Sequence, residues 1–153
     1  MKDVSSTLNP LRTIPIPWEQ VRAEFEWIGL TQGEAFSRTF ILRHPEVLET
    51  GLELVGIELA LPDGEERLPN GTPMNLELAD VVFLKRSGTR AHYFVVETEE
   101  SIKNRKGPPE AQHRAELLDV ALKKQGITDY EITPVFVGIE GNGYGSLVGV
   151  PLT

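Results

Sequence analysis

The chain has 153 residues, a net charge of −8 at pH 7 and no cysteine. That composition excludes disulfide frameworks, thiolate metal sites and cysteine nucleophiles, and it leads us to expect a reducing, cytoplasmic setting. The acidity argues against tight, purely electrostatic binding of nucleic acid, although carboxylates that hold divalent metal make a protein look acidic until the metal is counted.

The length fits one domain, read here as an N-terminal arm over 1–17 and a single α/β domain over 18–153. The opening Met1-Lys2-Asp3-Val4-Ser5-Ser6 lacks the apolar stretch of a secretory signal, and no apolar run approaches a membrane span. Pro10, Pro15 and Pro17 mark the arm as loose chain. Trp18, Val21, Phe25 and Ile28 then form one helical stripe, which Gly29 ends. Thr31-Gln32-Gly33-Glu34 reads as a capping box for a second helix with Phe36 and Phe40 on its inner face. Pro45 limits that helix and opens a short helical turn running to Glu49.

From Leu52 the period changes to that of a strand, ending at the turn Pro62-Asp63-Gly64. Two strands follow, Leu76 to Lys85 and Ala91 to Glu99, with Ser87-Gly88-Thr89 between them. Their centres, Val81-Val82-Phe83-Leu84 and Tyr93-Phe94-Val95-Val96, are apolar on both faces, as in strands covered on both sides. Ser101 to Pro109 reads as a polar, basic loop. A helix follows from about Glu110 to Gln125, with Ala111, Ala115, Leu118 and Leu122 on one stripe. Pro134 to Ile139 reads as a last buried strand, and the glycine-rich tail from Gly141 as loop. This order predicts a mixed sheet with helices on both sides.

Chemistry is suggested where charge interrupts apolar strands, because a buried carboxylate costs several kcal/mol unless it is paired, protonated or bound to metal. Asp80 precedes Val-Val-Phe-Leu; Glu97 and Glu99 follow Phe-Val-Val. With an even-numbered hairpin loop centred between Gly88 and Thr89, Asp80 faces Glu97 and Leu78 faces Glu99. Glu97 and Glu99 share a face, being two apart. The three carboxylates then form a hard oxygen site suited to Mg2+ or Mn2+. A three-residue loop would instead pair Asp80 with Val96 and undo this. The run Lys103-Asn104-Arg105-Lys106 reads either as a contact to a phosphate backbone or as a solvated loop. His44, His92 and His113 show no metal-ligand spacing.

The ordered series Glu49-Thr50-Gly51-Leu52-Glu53-Leu54-Val55-Gly56, Asp80-Val81-Val82-Phe83, Val95-Val96-Glu97-Thr98-Glu99 and Gln112 resembles the PD-(D/E)XK nuclease superfamily, in its NucS-like and RecB-like branch. The resemblance spans about residues 40 to 139. It implies a restriction-endonuclease-like α/β fold, a central mixed sheet flanked by helices, and Mg2+- or Mn2+-dependent hydrolysis of DNA in single-stranded, nicked or branched form. Carried over by position, Asp80 and Glu97 would ligate the metal, Glu49 would be the helical carboxylate that holds the metal's water or a second metal, and Gln112 would be the supporting polar residue. Ala79 stands where the motif has proline, and Glu99 where it has lysine. Glu99 would act as a base or a further ligand, or Lys103 would reach back, or the site would be inert; the sequence leaves these open. A catalytically inactive module binding a protein partner or nucleic acid is therefore the alternative expectation. A homodimer through Leu147-Val148-Gly149-Val150 is a third.

Overall fold

The computed structural model of the chain describes residues 6–28 and 33–141, with side chains at all of these except 25–28 and 33–35. The expected capping box, which includes Thr31 and Gln32, and the Leu147–Val150 segment lie outside the described residues.

The strand pair predicted from the apolar centres forms the middle of the sheet. Strands β4 (Leu76–Ser87) and β5 (Arg90–Ser101) make an antiparallel hairpin whose register runs from Ser87↔Arg90 to Val81↔Val96. The loop is the two residues Gly88 and Thr89, and Gly88 takes the left-handed φ of 64° that such a tight turn demands. Strand β3 (Glu53–Pro62) pairs antiparallel with β4 on the outer side. On the inner side β6 (Tyr130–Glu140) runs parallel to β5, reached through helix α3 (Gly107–Lys124) as a crossover.

The N-terminal arm departs from its reading as loose chain. Strands β1 (Thr7–Leu8) and β2 (Arg12–Pro17) both pair parallel with β6, completing a six-stranded sheet. Ile14 and Ile16 point inward while the alternating Pro15 and Pro17 stay exposed. Proline lacks an N–H and is tolerated on an edge strand, so the residues that suggested a loose arm are compatible with its outermost position.

Two apolar layers cover the sheet. On one face, Val81, Phe83, Phe94, Val96, Val135 and Val137 pack under α1 (Trp18–Ile28) and α2 (Gly33–Arg43), through Trp18, Val21, Phe36, Phe40 and Ile41. On the other, Val82, Val95, Tyr130 and Ile132 meet Ala115, Leu117, Leu118 and Leu122 of α3. Each large side chain so buried contributes on the order of 1.5–3 kcal/mol. The chain is thus α/β, a mixed sheet with helices on both faces. Among the described residues no helix is long and apolar enough to cross a membrane.

Two glycines set how closely α3 and β5 approach β6. A Cβ on Gly107, at the first turn of α3, would lie 2.1 Å from the Phe136 ring. A Cβ on Gly138 would lie 2.6 Å from the backbone nitrogen of Ile102. The second contact coincides with a bulge. Between Thr98↔Val137 and Ser101↔Ile139, β5 carries one residue more than β6. Bulges re-aim side chains, and this one lies at Glu99 and Glu100. Helix α2 braces it, because Ser37 Oγ donates a hydrogen bond to the Glu99 carbonyl at 2.5 Å.

Candidate metal centre

The two-residue turn puts Asp80 level with Glu97, one step beyond the last ladder pair, Val81↔Val96. Glu97 continues the alternation of Val95 onto the sheet face under α3, where Arg114 stands 3.7 Å from its Oε2. Past this point the Thr98 N–H finds the Asp80 carboxylate. Asp80 Oδ2 accepts from both the Thr98 N–H and Thr98 Oγ1, each at 2.9 Å.

Glu97 is 5% exposed. Its Oε2 is buried with no hydrogen-bond partner among the described residues. Burial, first, and then the neighbouring Asp80 charge push its pKa up to about 9, Glu110 adding to the rise and Arg114 opposing it. A carboxylate in such a place is stabilised by a proton or by a cation.

Three carboxylates converge there. Oxygens of Glu97, Glu99 and Glu110 all lie within 4.8 Å of one another. Ligands on an octahedral ion with bonds of about 2.1 Å stand about 3 Å apart when adjacent and about 4.2 Å when opposed. Small side-chain movements therefore suffice to close the group on a cation. All three donors are oxygen, the chemistry of Mg2+ or Mn2+ rather than of softer metals. Asp80 stands beside the group, near enough to raise Glu97.

Glu110 was not singled out in the sequence, nor was Arg114. Both sit on the flank of α3 that faces β4, one turn apart. Arg114 Nε donates to the Leu78 carbonyl at 2.9 Å and lies 3.7 Å from Glu97 Oε2. Its Nη2 reaches Glu77 at 3.3 Å, and its Nη1 stands 3.7 Å from the Glu110 carboxylate. The i, i+4 spacing of Glu110 and Arg114 beside the Ala111–Ala115–Leu118 stripe is the signal that could have found them.

Glu49 does not join this group. It pairs with Lys85 Nζ at 2.7 Å. Lys85 continues the Val81–Phe83 alternation, so it lies on the opposite face of the sheet, five residues or about 17 Å along β4 from Asp80. Its local cation explains the difference, for the Lys85 hydrogen bond holds the Glu49 pKa below the usual carboxylate value. Gln112 is also elsewhere. It lies about 200° around the helix from Glu110, exposed, and lines an open pocket with Leu8, Asn9, Pro10 and Pro134.

Lys103, Arg105 and Lys106 are exposed on the turn joining β5 to α3. The turn is fixed locally, since Ser101 Oγ accepts from the Lys103 N–H and Asn104 Oδ1 from the Lys106 N–H. This basic run is flanked in sequence by Glu99 and Glu110. His92 packs, stacking on Phe94 with ring centroids 4.1 Å apart and contacting Thr133 Oγ1 at 2.7 Å.

One acidic residue is turned away from the site. Glu58 of β3 is level with Asp80, between the pairs Ile57↔Val81 and Leu59↔Ala79. It adopts a left-handed backbone, φ 52°, and its carboxylate meets Arg38 of α2 at 3.3 Å. A second group, Asp63, Glu77 and His113, adjoins the first through the Arg114–Glu77 contact. His113 Nε2 lies 3.2 Å from Asp63 Oδ2.

Comparison of the chain with family models, with curated proteins and with solved structures finds no match.

Proposed function

We propose that this domain is a divalent-metal-dependent phosphodiester hydrolase of restriction-endonuclease-like fold, acting on DNA. The observation that carries the reading is the gathering of Glu97, Glu99 and Glu110 beside Asp80, with a buried Glu97 oxygen that has no hydrogen-bond partner among the described residues. The mixed sheet with helices on both faces is compatible with it. So is the register that sets the Asp80 and Glu97 positions of the motif side by side.

Glu97, Glu99 and Glu110 would hold Mg2+ or Mn2+, with Asp80 completing the shell once its side chain turns from Thr98. A cation there supplies Lewis-acid polarisation of the phosphodiester and eases deprotonation of water. Glu99 is less buried than Glu97 and stands where the motif has lysine. It is the chain's own group placed to accept a proton from the attacking water. The exposed Lys103, Arg105 and Lys106 would meet the DNA backbone beside the site.

The test is incubation of the purified chain with single-stranded, nicked, branched and duplex DNA in Mg2+ or Mn2+. Cleavage that stops on chelation and falls at least about 100-fold in Asp80→Ala supports the reading. No cleavage of any substrate, or cleavage unaffected by Asp80→Ala, rejects it.

A second reading rests on a specific observation. Arg114 already stands among the carboxylates, and Asp80 Oδ2 is engaged by Thr98. On that reading the domain is a silent nuclease-fold module that binds a protein partner or nucleic acid. Calorimetric titration with Mn2+ separates the two, since the hydrolase requires a binding event that Glu97→Ala removes.

A further inference from the structure

The guanidinium of Arg114 is more than a counter-charge to the glutamates. Its side chain is 14% exposed, so it is largely buried but not sealed from solvent. A guanidinium carries five N–H donors. Three are used, to the Leu78 carbonyl, the Glu110 carbonyl and the Glu77 carboxylate. Five less three leaves two without a hydrogen bond among the described residues. The carboxylates of Glu97 and Glu110 attract the group at 3.7 Å without a hydrogen bond to it. The backbone contacts hold the group in place, and the ion pairs to the metal-site glutamates are loose.

We propose that Arg114 is a phosphate ligand of this site, held by Leu78 and Glu77 while a divalent cation takes over Glu97 and Glu110, and presenting its two remaining donors to a phosphodiester oxygen beside the cation. The inference rests on the hydrolase reading and names the residue that recognises its substrate. Three facts support it. Planar, fixed N–H pairs match phosphate geometry. A cation entering the cluster neutralises the carboxylates that now attract Arg114, so the guanidinium gains a need for another anion. Glu99 brings negative charge to the reacting phosphate, and among the described residues Arg114 is the cation paired with Glu97.

The experiment uses the full chain, with Arg114→Gln and Arg114→Lys. Mn2+ affinity is measured by calorimetry. Binding of fluorescein-labelled single-stranded and nicked DNA is measured by anisotropy in Ca2+, which occupies oxygen sites while slowing hydrolysis. Arg114→Gln should weaken DNA binding about tenfold or more, the worth of a charge-assisted hydrogen bond, while Mn2+ binds at least as tightly because a competing cation has gone. Arg114→Lys should recover part of the DNA affinity, since it keeps the charge and loses the fork. Unchanged DNA affinity in Arg114→Gln overturns the proposal. So does a parallel loss of DNA and Mn2+ binding, which would mark a framework role. Should Arg114→Gln not fold, Arg114→Lys decides by the same two affinities. If the unmodified chain shows neither cation-dependent DNA binding nor cleavage, the hydrolase reading fails and takes this proposal with it. If that chain binds and cleaves but the Arg114 variants match it, only the role of Arg114 fails.

Discussion

The two ends of the β4–β5 hairpin solve the same electrostatic problem in opposite ways. Near the turn, Lys85 meets Glu49, and Arg90 meets both Asp129 and Glu131. The Glu49 and Glu131 pKa values are lowered, by the Lys85 hydrogen bond for the first and chiefly by an Asn9 hydrogen bond for the second. At the open end, Glu77, Glu97 and Glu110 share Arg114, with Asp80 and Glu99 adjacent, and the Glu97 pKa rises to about 9. One strand pair thus carries compensated carboxylates at one end and undercompensated ones at the other. Undercompensation costs stability in the metal-free protein, and it is the condition under which a cation binds well.

The largest expected effect follows from replacing the buried carboxylate. Glu97→Gln should cut Mn2+ affinity at least about 100-fold in calorimetry, while the metal-free protein loses no stability or gains some at neutral pH, since the amide is neutral without the proton that Glu97 must take up on folding. Retained Mn2+ affinity would break the contrast between the ends. Gly138→Ala comes next. Its Cβ would meet the Ile102 backbone, which cannot rotate away, so about 2–4 kcal/mol should be lost in urea unfolding, with weakened Mn2+ binding because the bulge carrying Glu99 moves. Neutral behaviour would show that the bulge does not position the site.

Opposite pH slopes should follow from the two environments. With a folded pKa near 9 and an unfolded one near 4.5, Glu97 keeps in the folded state a proton that the unfolded chain has lost. Its contribution is therefore fully present below about pH 4.5 and is lost as pH rises through 9. Glu49 and Glu131 act in reverse, contributing above about pH 4.5 and losing that contribution as pH falls through their lowered values. Urea unfolding of the metal-free protein should show stability falling between about pH 4.5 and 9, a decline that Glu97→Gln reduces. A decline that persists in the variant assigns it to another group. The smallest effects belong to residues that the fold sets apart. Glu49→Gln should cost under about 1 kcal/mol, as expected of a partly exposed ion pair, and neither it nor Gln112→Ala should change Mn2+ affinity. A large loss of Mn2+ affinity in either would mean that the opposite face contributes to the site.

The central strands were legible because their residues are apolar on both faces over four positions, a pattern set by burial alone. The Asp80–Glu97 juxtaposition was legible only for an even-numbered loop, a condition that the two-residue turn Gly88-Thr89 meets. The N-terminal strands were not, because the prolines that mark a loose arm also suit a sheet edge, and only the presence of β6 distinguishes the two. Glu49 was misplaced because adjacency to a motif in sequence does not specify a face, and Lys85 holds it on the far one.

By itself, then, the sequence determined the alternation of the strands and the place of the turn, consequences of local geometry with a period of two, and it left two loop lengths open, of which the fold takes the one that sets Asp80 level with Glu97. The tertiary structure alone decided which further charges arrive. Glu110 and Arg114 reach the site because α3 packs on the sheet at a distance from β6 that Gly107 permits, and Glu99 because β5 bulges just before its close approach to Gly138 at Ser101 and Ile102. Those choices depend on contacts between segments far apart in the chain, where neither propensity nor spacing carries information.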